Sequence, residues 1–166
     1  TKLKYLQAFL YEVLRLYPSV PLNSKICVNN DTLPNKANIY SGDRIVFSPW
    51  TIGRNPNVWE TPDSFIPERW LLDNDNKISQ YEFMAFNAGF RTCLGKNMAI
   101  LEASIMLIKL LQKFKFESVK NIFTIEYNPK LILSIKDGLP VKISLNNGAF
   151  SISCSDRCCD TGVNKS

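Results

Sequence analysis

"FNAGFRTCLG", residues 86–95, carries a single thiol, Cys93, set between Arg91 and Gly95 just ahead of a long apolar run. What this thiol is for decides how the rest of the chain is read. It is one of five cysteines in 166 residues, and the sequence contains no histidine. That absence removes the usual general base for a cysteine or serine nucleophile. It also removes histidine-ligated metal centres, so any metal chemistry must come through Cys, Asp or Glu. Cys27, Cys154, Cys158 and Cys159 show no framework spacing, and no disulfide partner is assigned to Cys93. A zinc site needs about four N/S ligands at close spacing, and Cys93 has no such neighbours. The "CSDRCC" run at 154–159 clusters three thiols but lacks the second pair that zinc requires. From the residues alone two readings stay open. Cys93 is an inert buried thiol, or it is a lone thiolate ligand to a metal held mostly by something other than protein.

An iron macrocycle with an axial cysteine is the second case, and the local chemistry suits it. Leu94 and Gly95 lead into a helical pattern, which puts Cys93 at a helix N-terminus where free amides and the dipole favour a thiolate. Arg91 supplies a permanent positive charge for a haem propionate. Gly89 and Gly95 let backbone approach a flat ring that a Cβ would obstruct. Phe86 and Phe90 can shield the sulfur from water.

Outward from that stretch, the sequence reads as one domain of mixed structure. Hydrophobic residues make up 45% and charged residues 21%, ordinary values for a globular chain. Residues 1–17 place Leu3, Leu6, Leu10, Val13 and Tyr17 at helical period, and Pro18 ends the run. Glu12 and Arg15 stand three apart on another face. Taken alone they read as a solvated surface pair. "KICV" and "RIVF" read as strands, with "IYSGDRIVF" a hairpin bending at Ser41-Gly42-Asp43. Residues 48–80 have few periodic apolar positions but hold Trp50, Trp59 and Trp70, so the stretch is expected to be irregular and packed down. From Lys96 to about Phe114 a second helix is apolar except for a stripe of Glu102, Lys109 and Lys113, and we expect it to be buried on several sides. "IFTIEY" and "KLILSIKDGLPVKISL" suggest a small antiparallel pair turning at Asp137-Gly138. Residues 148–166 are polar and Cys-rich and read as a disordered tail.

The net charge is +5, too weak and scattered for nucleic acid, which calls for a dense basic stripe with stacking aromatics. No apolar run reaches the roughly 20 residues needed to span a bilayer. The chain has no initiator methionine and starts within a helical pattern, so the expectation is a C-terminal piece of a larger protein.

"FNAGFRTCLG" resembles the cysteine-ligand loop of cytochromes P450, whose pattern is F-x-x-G-x-R-x-C-x-G. Phe86, Gly89, Arg91, Cys93 and Gly95 all match. "EVLR", Glu12 to Arg15, resembles the family's E-x-x-R on its K helix. "FIPERW", Phe65 to Trp70, resembles the segment whose arginine, here Arg69, joins that pair. The resemblance covers residues 1–147. It implies a mainly α fold with small β-sheets, the C-terminal, haem-thiolate part of the P450 domain. The implied cofactor is haem b with Cys93 as axial ligand and Phe86, Gly89, Arg91 and Gly95 around it. It also reverses the reading of Glu12 and Arg15, which with Arg69 become a buried structural triad. Two positions depart from the pattern. Leu22 stands where many relatives place a basic residue for a propionate, with Lys25 a candidate substitute, and Phe90 stands where proline is common.

The implied activity is monooxygenation: one atom of O2 enters an apolar, fatty-acid-like substrate, and the other leaves as water. Electrons are expected from an NADPH-cytochrome P450 reductase-type donor. Its docking face is assigned to Arg91, Lys96, Lys109, Lys113 and Lys115, against one acid, Glu102, although an ordinary solvated helix face has the same pattern. Ser19 to Ile26 and Pro129 to Leu133 are expected to line the substrate pocket. "RLYPSVPLN" is most like eukaryotic alkane and fatty-acid ω-hydroxylases. The implied location is the cytosolic face of the endoplasmic reticulum, with any membrane anchor outside this chain; sequons at Asn30 and Asn164 weigh weakly against it. The oxygen-activating residues are also expected upstream, so the isolated chain should be inactive. A non-catalytic truncated P450 fragment and a haem-thiolate sensor are the alternatives.

Overall fold

A computed structural model describes residues 3–71, 78–121 and 124–146. The Cys-rich tail, with Cys154, Cys158, Cys159 and the Asn164 sequon, lies outside the described residues.

Helix α1 (Lys4–Leu16) is the centre of the molecule. Its buried stripe is Ala8, Leu10, Glu12, Arg15 and Leu16, so two opposite charges face the core together. The helix stops where Pro18 denies it a further N–H, and Tyr17 N–H closes on the Val13 carbonyl at 2.7 Å. After it come β1 (Asn23–Ile26), β2 (Asp31–Thr32), β3 (Asn38–Ile39) and β4 (Arg44–Phe47).

The expected hairpin at Ser41-Gly42-Asp43 is a turn but not a two-stranded ladder. Gly42 adopts φ +95°, and Asp43 N–H bonds the Tyr40 carbonyl at 3.0 Å. The flanking strands then part company: β3 pairs with β2, and β4 pairs antiparallel with β1. Two further bonds, Cys27 N–H to the Asp43 carbonyl and Gly42 N–H to the Cys27 carbonyl, both at 2.8 Å, extend the β1–β4 ladder into that turn.

The irregular stretch is packed down, as its tryptophans suggest. Ser48 caps the short α2 (Pro49–Ile52) by accepting from Thr51 N–H at 3.1 Å, with Pro49 preset at the first position. Trp59 is buried, and a 310 turn at Pro67–Trp70 leans on α1. Two more 310 turns, Met84–Phe86 and Gly89–Arg91, lead to α3 (Lys96–Lys113).

Helix α3 departs from expectation. None of its residues is buried; Met98, Leu101 and Ile105 stay 65%, 60% and 51% exposed. It rests on α1 with one side, around Ile100, Ala103, Ser104, Leu107 and Ile108, all half-buried. An apolar pattern records which side chains need cover. It does not record how many covering elements a given stretch of chain supplies, and among the described residues the main helix packed on α3 is α1.

The last strands also pair otherwise than expected. Asp137 and Gly138, at φ +60° and +75°, make the turn. Yet β7 (Leu133–Ile135) pairs back to β6 (Tyr127–Pro129), while β8 (Val141–Leu145) pairs with β5 (Phe114–Ser118) directly after α3. The β6–β7 hairpin is tied to the segment after α1 by Leu133 N–H on the Ser19 carbonyl at 2.8 Å.

Candidate functional site: a cysteine loop on a buried charge network

Glu12 is fully buried and Arg15 is 2% exposed. Two such charges are tolerable in a core only when every lone pair and proton is satisfied. Glu12 accepts from Arg15 through both oxygens, at 2.9 and 2.8 Å, from Arg69 Nε at 3.1 Å, from Ile66 N–H at 2.9 Å and from Trp70 Nε1 at 2.9 Å. Arg15 spends its remaining donors on the carbonyls of Gly53, Pro62 (2.7 Å) and Ser64 (3.0 Å). Burial alone pushes the Glu12 carboxyl up, but the donors and charge of Arg15, with Ile66 and Trp70, outweigh it and hold the pKa below the ordinary value. The three motif residues Glu12, Arg15 and Arg69 thus meet in space, 57 positions apart at the widest.

The network extends past the motifs. Arg15 and Arg69 both stand over the Trp59 ring, at 5.1 and 5.7 Å. Gly53 is required for a reason its φ does not reveal: a Cβ there would lie 2.3 Å from the Arg15 carbonyl oxygen. Trp70 touches Phe83 edge-on at 4.8 Å, and Phe83 touches Phe86 at 6.3 Å. Phe86 in turn accepts the Cys93 N–H on its carbonyl at 2.8 Å. A continuous run of aromatic contacts therefore leads from the charge network to the cysteine loop. Sequence reasoning missed Gly53 and the carbonyl acceptors, which carry no side-chain signal. "FIPERW" points to Arg69 and does not mark the Trp70 indole as a donor to Glu12.

Cys93 is exposed and is a free thiol, as is Cys27. It precedes α3, whose N-cap is Gly95 and whose first turn receives no side-chain cap. The amides of Leu94 and Gly95 find no acceptor among the described residues. Gly89 has φ +65°, which is glycine's conformation. Gly95 has an ordinary φ of −83°, and the atom nearest to where its Cβ would stand is the Cys93 sulfur, at 3.9 Å. Gly89 therefore serves the backbone turn, and only Gly95 leaves open room beside the sulfur. Phe90 and Leu94, on either side of Cys93 in the sequence, have fully exposed side chains. Arg91 is exposed and unpartnered among the described residues. Among the described residues no cluster of His, Cys, Asp or Glu could hold a bare metal ion.

This donor set suits a metal that brings most of its own ligands. It offers one soft sulfur, unfilled amides at a helix start, and a free cation two residues away. The family model for cytochrome P450 matches residues 1–142. This chain belongs to the cytochrome P450 family. It is 42% identical to cytochrome P450 704C1 of Pinus taeda over 146 residues, spanning 86% of this chain and 28% of that protein. With alkane hydroxylase MAH1 of Arabidopsis thaliana it shares 38% over 146 residues, 86% of this chain and 29% of that protein. A crystal structure of a cytochrome P450DA mutant haem domain has the same fold, with TM-score 0.76 at 23% identity over 84% of this chain and 30% of that one. The chain thus spans under a third of the length of these relatives. The P450 cofactor is haem b with an axial thiolate, and the residues around Cys93 fit it.

Proposed function

We propose that this chain is the proximal, haem-holding part of a monooxygenase that inserts one atom of O2 into an apolar substrate. The carrying observation is the exposed Cys93 thiol at the start of α3, with unfilled amides beside it. Cys93 would ligate the haem iron, Arg91 would pair a propionate, Phe86 would lie beside the sulfur, and Gly89 and Gly95 shape the loop, while the fully exposed Phe90 offers the sulfur no shield. Glu12, Arg15 and Arg69 hold the 48–71 segment against α1 and do no chemistry. Haem b supplies O2 activation when bound, and the thiolate's electron donation favours O–O cleavage.

The substrate we assign is a long-chain alkane or fatty acid. In support, one relative is named an alkane hydroxylase, and the two segments assigned to the pocket are tied together by the Ser19–Leu133 bond. They present Leu22, Ile26, Leu131 and Ile132, all well exposed and apolar. Electrons are assigned to an acidic flavoprotein of the NADPH-cytochrome P450 reductase type. Of the five cations proposed to steer it, Lys96 lies over the Tyr11 and Phe86 rings at 5.8 Å and Lys115 pairs with Glu117 at 2.9 Å. That leaves Arg91, Lys109 and Lys113 as the freest charges. We place the full-length protein on the cytosolic face of the endoplasmic reticulum; no helix among the described residues is long and apolar enough to cross a membrane. The uncovered Met98–Leu101–Ile105 stripe favours a second statement, that the isolated chain is not the acting form. The test is NADPH-dependent turnover by the full-length protein with reductase. Terminal hydroxylation of a long-chain alkane or fatty acid is expected, and turnover of polar substrates alone refutes the assignment.

A further inference from the structure

Asn87 carries the strained backbone of the cysteine loop. Its φ of +61° and ψ of −179° belong to a region that glycine alone occupies freely. Such a conformation persists only where surroundings over-determine it. Here two contacts do so. Asn87 N–H donates to the Met84 carbonyl at 3.0 Å, and its Oδ1 accepts from Asn23 Nδ2 at 3.0 Å. Asn23 is itself fixed: it opens β1 opposite Phe47, and its Oδ1 accepts Ser24 N–H at 2.8 Å, which leaves Nδ2 to face Asn87. The torsion at Asn87 sets the plane of the Phe86–Asn87 peptide. The carbonyl of that peptide receives Cys93 N–H. Asn23, Asn87, Phe86 and Cys93 line one cavity of about 250 Å³.

We propose that Asn23 is a positioning residue for the Cys93 thiolate, acting through the Asn23–Asn87 amide bridge, which rests on the reading of Cys93 as haem ligand. The bridge holds Asn87 in its strained conformation, the strained peptide presents its carbonyl to Cys93 N–H, and that bond fixes the direction of the sulfur. Because β1 belongs to the segment assigned to the substrate pocket, the same bridge ties the pocket wall to the ligand loop.

The experiment uses the full-length, haem-loaded protein. The rate read is that at which the reduced CO complex loses its thiolate-type band for a neutral-thiol band at a fixed low urea concentration. Asn23→Leu removes the donor and is expected to speed the loss about fivefold, the scale of one half-buried hydrogen bond. Asn23→Asp keeps the acceptor for Ser24 while the Asn87 amide turns to donate, so its rate should stay within about twofold of wild type. In an Asn87→Gly background, where neither bridge nor strain remains, adding Asn23→Leu should change nothing. A wild-type rate in Asn23→Leu, equal acceleration by Leu and Asp, or undiminished acceleration in the Asn87→Gly background each overturns the proposal. A wild-type protein with no thiolate band at all refutes instead the reading of Cys93, and the proposal falls with it.

Discussion

Replacing Glu12 by glutamine changes one oxygen to an NH2 group and leaves the volume almost untouched, so it isolates what the carboxylate does. Glu12 accepts five hydrogen bonds, two from Arg15 and one each from Ile66, Arg69 and Trp70. In the better of the two amide orientations the new oxygen keeps the Arg15 Nη2, Ile66 and Arg69 bonds, and the NH2 meets Arg15 Nε and Trp70 Nε1, donor against donor. Arg15, at 2% exposure, is then a buried cation with no compensating anion. Stranding one member of a buried pair costs about 3–5 kcal/mol, a large share of the roughly 5–15 kcal/mol that holds a domain together. The aromatic contacts from Trp70 through Phe83 to Phe86 carry the loss to the cysteine loop. In the full-length protein, Glu12→Gln should therefore lower both the urea midpoint and the haem bound per polypeptide. Glu68→Gln is the matched control: that carboxylate is exposed and, among the described residues, receives only Tyr5 OH at 3.2 Å, so its loss should stay within about 0.5 kcal/mol. Wild-type haem content and midpoint in Glu12→Gln refute the reasoning.

The same carboxylate predicts an acid limit. Its folded pKa lies below the ordinary 4.5, so its stabilisation is complete above that pH and is lost as pH falls through the lower folded value. Urea midpoints of wild type and Glu12→Gln should converge below pH 4.5, and a gap constant across acid pH contradicts this. Gly53→Ala places a methyl 2.3 Å from the Arg15 carbonyl oxygen, which is backbone and cannot swing aside. The ends of α1 and α2 must separate, at a cost of at least about 1–3 kcal/mol. A midpoint equal to wild type rules that packing out.

Much of this architecture was legible because it is local. The 3.6-residue period of Leu3 to Tyr17 and the stop at Pro18 mark α1, whose described span is Lys4–Leu16. Turns at Gly42 and Asp137-Gly138 were legible from composition. Strand partners were not. A turn signal states that the chain reverses, whereas the β1–β4 and β5–β8 ladders join residues 18–24 and 23–31 positions apart, such as Lys25↔Ile45 and Phe116↔Ile143, in registers that hold only once each whole ladder forms. The buried state of Glu12 and Arg15 was likewise illegible from spacing, since an i,i+3 pair looks the same on a surface. What buries them is a set of backbone carbonyls at Gly53, Pro62 and Ser64, which any residue can supply. The conformation of Asn87 left no trace in the sequence, because its strain is imposed by Asn23 from a distant strand.

The central claim is that Cys93 is the axial ligand of haem b. It is tested most directly by the reduced, CO-bound difference spectrum of the full-length protein and its Cys93→Ser variant. The account predicts a thiolate-type Soret band in the wild type that is absent from Cys93→Ser. A variant that retains that band contradicts it.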